Sequence, residues 1–227
     1  MATFALIPGA GGVAWYWHRV AALLEAAGHG AIAVDLPGDD PAAGLPEYAD
    51  LVAAAVGERR DMVVVAQSLG GFTAPLVAER IAPRALVLVN AMVPAPGEMP
   101  RDWGRNTGSE AARRAAARER GDPDEIDLET CFLHDVPREV LASGESLQRD
   151  EADTAFASAC AFTAWPDVPV RVVAGADDRL FPADFQRRVA RERLGVDADV
   201  LPGGHLIALS RPRELAAYLL AFGPLGS

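Results

Sequence analysis

The run Val63-Val64-Val65-Ala66 breaks off at Gln67-Ser68-Leu69-Gly70-Gly71, which puts a serine between small residues at the end of an apolar stretch. A serine held on a tight turn between a buried strand and a helix is the setting of an activated nucleophile. The positions two before and two after must then be small, and here they are Ala66 and Gly70. A helix starting just past Ser68 would aim its free N–H groups and positive dipole end at the reacting centre, with the Leu69 N–H as candidate oxyanion donor. A serine nucleophile needs a base, and the base needs an orienting acid. His205 follows Pro202-Gly203-Gly204, and Asp177-Asp178 follow Gly175-Ala176, each in a loop after an apolar run. Asp178 is favoured as the acid from its spacing to Gly175 and Pro182; Asp177 is the alternative, with a cap on the following turn as its other role.

These residues must be carried to one place by the elements around them. Apolar runs at Thr3–Ile7, Ala31–Val34, Asp61–Ala66, Arg84–Asn90, Val170–Ala174 and Ala198–Leu201 read as six strands, closed by glycine- and proline-rich turns. Helical periodicity lies between them, with Trp15, Val20, Leu23 and Leu24 on one buried face, then Tyr48–Val56, Leu69–Ile81, Phe185–Leu194 and Pro212–Ala221. This alternation predicts an α/β fold, a mostly parallel six-stranded sheet with helices on both faces. Ligands of such sheets bind at the carboxyl ends of the strands, where Pro8-Gly9-Ala10-Gly11-Gly12 and Ser68 both fall.

The rhythm breaks after Val93. Ser109–Arg120, Glu125–Leu133 and Glu151–Ala161 read as helices with no strand between them, and Phe132, Leu133, Phe156, Phe162 and Trp165 give the stretch apolar surface to bury. The expected organisation is a core of residues 1–94 and 166–222, a helical cap of residues 95–165 inserted over the sheet's carboxyl end, and a tail, 223–227, of cloning origin.

Composition closes off other chemistries. At 227 residues, 50% hydrophobic, the chain can bury one full core. A net charge of −11 argues against nucleic acid or an anionic membrane surface as partner. All 21 basic residues are arginine, so Schiff-base, P-loop and Ser-Lys mechanisms are excluded. Cys131 and Cys160 are far apart with no CxxC spacing, which reads as reduced thiols; with no signal-like N-terminus and no apolar stretch of membrane-spanning length, a cytoplasmic location is expected. No His or carboxylate cluster has metal-ligand spacing, and the glycines of the first loop do not form a nucleotide fingerprint, so neither metal nor cofactor is expected. His18 and His29 read as structural, whereas His134, beside Asp135, is a candidate for the lining of a substrate pocket.

The residues Phe4-Ala5-Leu6-Ile7-Pro8-Gly9-Ala10, Trp15-Tyr16-Trp17, Asp35-Leu36-Pro37-Gly38, Gln67-Ser68-Leu69-Gly70-Gly71, Asp178 with Leu180-Phe181, and Gly204-His205 resemble the α/β-hydrolase superfamily. Over essentially the whole length the chain is most similar to the branch of plant methylesterases and hydroxynitrile lyases. The resemblance implies catalytic Ser68, Asp178 and His205, a second oxyanion N–H from Ala10, and a fold that lacks the usual N-terminal antiparallel hairpin. It departs from the family pattern at Pro8, where a histidine is common, and at Ala66, where glycine is usual. The lyases carry a threonine at the position of Gly9 and a cyanide-stabilising lysine at that of Leu206. The resemblance therefore implies hydrolysis of a small, fairly apolar carboxylic ester, with a lyase-type use of the same triad and a small-molecule sensor as alternatives.

Overall fold

The computed structural model describes residues 1–221; Phe222 and the tail 223–227 lie outside the described residues. Strands β1 (Thr3–Ile7), β2 (Gly30–Ala33), β3 (Met62–Gln67), β4 (Ala85–Val89), β5 (Val170–Gly175) and β6 (Ala198–Leu201) form one sheet in the order β2-β1-β3-β4-β5-β6. All five pairings are parallel, so the sheet is parallel throughout rather than mostly so. The chain runs from β1 outward to β2 and then crosses back to β3 on the other side of β1. That reversal opens a crevice at the carboxyl ends of β1 and β3, the loops of Gly9 and Ser68.

Helices α1 (His18–Ala26), α2 (Leu45–Val56) and α3 (Gly70–Ile81) connect the first four strands. Between β4 and β5 come α4 (Pro100–Thr107), α5 (Ser109–Arg120), α6 (Arg138–Gly144) and α7 (Asp153–Ala157), and after β5 come α8 (Ala183–Leu194), α9 (Ile207–Ser210) and α10 (Pro212–Leu220). Alternate side chains of a strand point to opposite faces, so each central strand feeds two cores. Phe4, Leu6, Val63, Val65, Val87 and Val89 pack with α1 and α10, while Ile7, Val64, Ala66, Leu86 and Leu88 pack with α2, α3 and α8. Burial on both faces explains why these strands read as continuous apolar runs. Each fully buried Leu, Val or Phe contributes about 1.5–3 kcal/mol.

Several expected elements differ in detail. Ala14–Trp17 winds as a 3₁₀ turn ahead of α1, which changes the phase of the face: Tyr16 and Trp17 are buried, Trp15 and Leu23 only half-buried. The expected helix 125–133 is a π turn over Glu129–Leu133, because the Asp127 Oδ1 atom accepts the Thr130 N–H and starts the turn there. The expected helix 151–161 shrinks to α7, since Glu151 and Ala152 bond to distant loops and Ser158 is extended. Helices α4 and α6 were not expected. Both cysteines are free and buried, and burial pushes the Cys160 thiol up to about 12. Among the described residues no helix is long and apolar enough to cross a membrane.

Candidate active site

Ser68 sits between the end of β3 and the start of α3 with a φ of +50°, a left-handed conformation that costs a non-glycine residue about 1–3 kcal/mol. Its surroundings hold it there: its N–H donates to the Val89 carbonyl, and its own carbonyl accepts from Gly71 and Met92. The turn requires glycine at position 70, where a Cβ would lie 2.6 Å from the Pro8 carbonyl oxygen. Half-buried Ser68 thus projects its hydroxyl from a strained, fixed backbone.

The structure brings three of the expected residues together. The Nε2 atom of His205 lies 3.1 Å from Ser68 Oγ, and its Nδ1 atom lies 2.9 Å from Asp178 Oδ2. A carboxylate can only accept, so the imidazole proton belongs on Nδ1 and Nε2 is left free to accept from the hydroxyl. His205 and Asp178 are 1% and 2% exposed. The buried carboxylate is fully bonded: Asp178 Oδ1 accepts the Leu180 and Phe181 N–H groups, each at 2.9 Å, and Oδ2 also accepts Gln186 Nε2 at 3.1 Å. Of the two adjacent acids, then, Asp178 both meets the imidazole and caps the following turn. Asp177 instead accepts the Gly203 N–H at 3.3 Å, bracing the loop ahead of His205.

Residues that the sequence did not single out fix this arrangement. Asn90, directly after β4, donates to the carbonyls of Gly204 (2.9 Å) and His205 (3.0 Å) and accepts the Gly175 N–H at 2.6 Å. It therefore ties the histidine loop to the end of β5. A polar residue closing the apolar run 85–89 was the available signal. Gln186 of α8, which bonds Asp178, Asn90 and the Phe181 carbonyl, carried none. The rings of Phe132, from the π turn, and Phe181 stand edge-on to the His205 ring, each with centroids 5.2 Å apart.

Of the two oxyanion candidates, Leu69 directly follows Ser68, and Ala10 directly follows Gly9, where a Cβ would lie 2.9 Å from Ser68 Cβ. Among the described residues, neither the Ala10 nor the Leu69 N–H is taken by a protein acceptor. His134 lies elsewhere. It packs against Gly204 behind the histidine loop and lines a cavity of about 290 Å³ with Arg120, Asp135, Asp177 and Arg179; Ser68 is not in that lining. Burial and then the nearby Arg179 charge lower the His134 imidazole below its ordinary value. A smaller cavity, about 90 Å³, opens beside Gly9, Ala10, Arg149 and Leu206. Among the described residues there is no group of three or more His, Cys, Asp or Glu able to hold a metal ion.

A parallel sheet with a serine elbow, a histidine loop and an acid loop at its carboxyl end defines an α/β hydrolase. The family model described as alpha/beta hydrolase family matches residues 4–218, and the chain belongs to that family. Among curated relatives it is 42% identical over 109 residues to the protein named probable esterase PIR7A of Oryza sativa subsp. indica, covering 42% of this chain and 41% of that protein. The match thus spans less than half the length of that relative. It is 29% identical over 251 residues to esterase PIR7B of Oryza sativa subsp. japonica, covering 96% of this chain and 94% of the relative. Among solved structures, methylesterase MES16 from Arabidopsis superposes with a TM-score of 0.75 at 20% identity, covering 98% of both chains. The plant likeness expected from the motifs is found in the two rice relatives, and the Arabidopsis structure shares the fold.

Proposed function

We propose that the protein is a serine hydrolase that cleaves a small, fairly apolar carboxylic ester through an acyl-enzyme. The observation that carries this reading is the continuous chain of hydrogen bonds from Ser68 through His205 to Asp178. His205 takes the Ser68 proton as the oxygen attacks the ester carbonyl, and Asp178 holds the imidazole and offsets its charge. The Ala10 and Leu69 N–H groups stabilise the tetrahedral oxyanion. His205 then returns the proton to the departing alcohol, and water, activated in the same way, releases the acid. Side chains and backbone supply every step, so no metal or cofactor is called on. We place residues 95–165 as the cap that shapes the substrate pocket.

Two features favour ester hydrolysis over a lyase-type use of the triad. Gly9 stands where the lyases are expected to carry threonine, and a Cβ there would lie 2.4 Å from Gln67 Oε1 and 2.9 Å from Ser68 Cβ. Leu206 stands where an anion-stabilising lysine would be needed.

The test is Ser68→Ala assayed against a chain-length series of p-nitrophenyl esters, with fluorophosphonate labelling. The variant is expected to lose about 10³- to 10⁶-fold in kcat and all labelling. Full activity in Ser68→Ala would overturn the assignment.

A further inference from the structure

We infer that Glu151 is a positioning residue for the oxyanion loop; this rests on the hydrolase reading and on Ala10 as a donor. The Glu151 Oε2 atom accepts the Gly11 N–H at 2.6 Å, and Oε1 accepts the Tyr48 hydroxyl, also at 2.6 Å. Tyr48 is a buried residue of α2, so the carboxylate is fixed at one end by the core and at the other by the loop. Its neighbours add to the grip. Arg149 Nη2 donates to the Gly12 carbonyl (3.3 Å) and to Asp35 Oδ1 (3.2 Å), and the Ala152 N–H donates to the Gly38 carbonyl at 2.6 Å.

The consequence for Ala10 follows from peptide planarity. The Ala10 N–H shares its plane with the Gly9 carbonyl, and that carbonyl accepts the Gly12 N–H at 3.1 Å. The next plane holds the Gly11 N–H, the group taken by Glu151. Both peptide planes that meet at Ala10 are therefore tied, one within the loop and one to the strap of residues 149–152. Such ties are needed here because Gly11 and Gly12, at φ +83° and +69°, have the widest conformational freedom of any residue. The carboxylate also suits the position chemically. It faces two donors, and a group with two acceptor oxygens meets both at once. Burial raises the Glu151 carboxyl above its usual range, with the Tyr48 and Gly11 donors working against that rise.

The experiment uses the full chain and a short-chain p-nitrophenyl ester, with a trifluoromethyl ketone as probe, since serine adds to it and leaves an oxyanion in the hole. Active fractions are normalised by fluorophosphonate stoichiometry. Glu151→Ala is expected to lower kcat about 10- to 100-fold and to weaken the ketone by a similar factor, with KM moving less than about threefold. Glu151→Gln should recover most of the loss, because its amide accepts from Gly11 and donates to the Tyr48 oxygen. Where Glu151→Ala does not fold, Glu151→Asp, too short to reach both donors, is read by the same criteria. Unchanged kcat and ketone affinity, or a loss confined to KM or to active fraction, would overturn the inference. Activity surviving in Ser68→Ala would instead bring down the hydrolase reading, so the two failures are distinguishable.

Discussion

Ser68 was legible because its constraints are local: a buried strand, small neighbours and a helix start all fall within nine residues. His205 and Asp178 were legible as strand-end residues, but the choice between Asp177 and Asp178 depends on which carboxylate turns inward, and only the folded loop decides it. Asn90 could be noticed as a polar residue closing an apolar run, but its role could not be read, since its three partners lie more than 80 residues away in the chain. Removing it leaves the Gly175 N–H and the Gly204 carbonyl without these partners in a buried site, and the His205 carbonyl with only the 3.4 Å bond from Gln67. Asn90→Ala should therefore lose about 2–5 kcal/mol of stability, measured by urea denaturation, and lower kcat by loosening His205. His134 gives a pH effect of opposite origin to catalysis. Its folded-state value is lowered by burial and Arg179, so on acidification the unfolded chain binds the proton first. Stability is full above the ordinary imidazole value of roughly 6.5 and falls as pH drops below it. Thermal melts from pH 7.5 to 5.0 should show that decline, and His134→Gln should make it shallower.

At the scale of elements, the six strands were readable within about one residue because each is an apolar run bounded by turn residues. Between β4 and β5, α5 was read to the residue, at Ser109–Arg120, but the other helices were read less well. They are short, and their starts and stops are set by contacts with the sheet's loops rather than by their own periodicity. α4 shows this: its anchor is Trp103, 1% exposed, whose indole N–H donates to the Val93 carbonyl at 2.9 Å and whose ring meets Phe181 and Phe185 edge-on. A second anchor is Glu98. Burial raises its carboxyl, but two bonds from Arg193 (2.7 and 3.1 Å) and one from Asn106 (2.7 Å) outweigh that and hold it below the usual carboxylate range. Trp103→Ala should cost about 3–5 kcal/mol. If the inserted segment docks through this residue, limited proteolysis of the variant will cut first between residues 95 and 165.

For the whole molecule, layer architecture and the position of the site at the carboxyl ends of the strands followed from strand–helix alternation alone. What did not follow was how the inserted segment meets the sheet. Gly144 packs against the Trp15 ring, His134 against Gly204, and Phe132 against His205, so the segment touches both the first and the last loops of the site. Those contacts join residues distant in sequence, which periodicity cannot report. They also impose an order of assembly. The Gly11 N–H has its partner 140 residues later in the chain, and β4 cannot find β5 until the inserted segment has been made. During synthesis the first four strands can emerge and pair while the Gly11 N–H still lacks its carboxylate partner. On the proposed mechanism Ser68 is thus made long before Glu151, and longer still before Asp178 and His205, so the strained serine stays idle until the last of these has emerged.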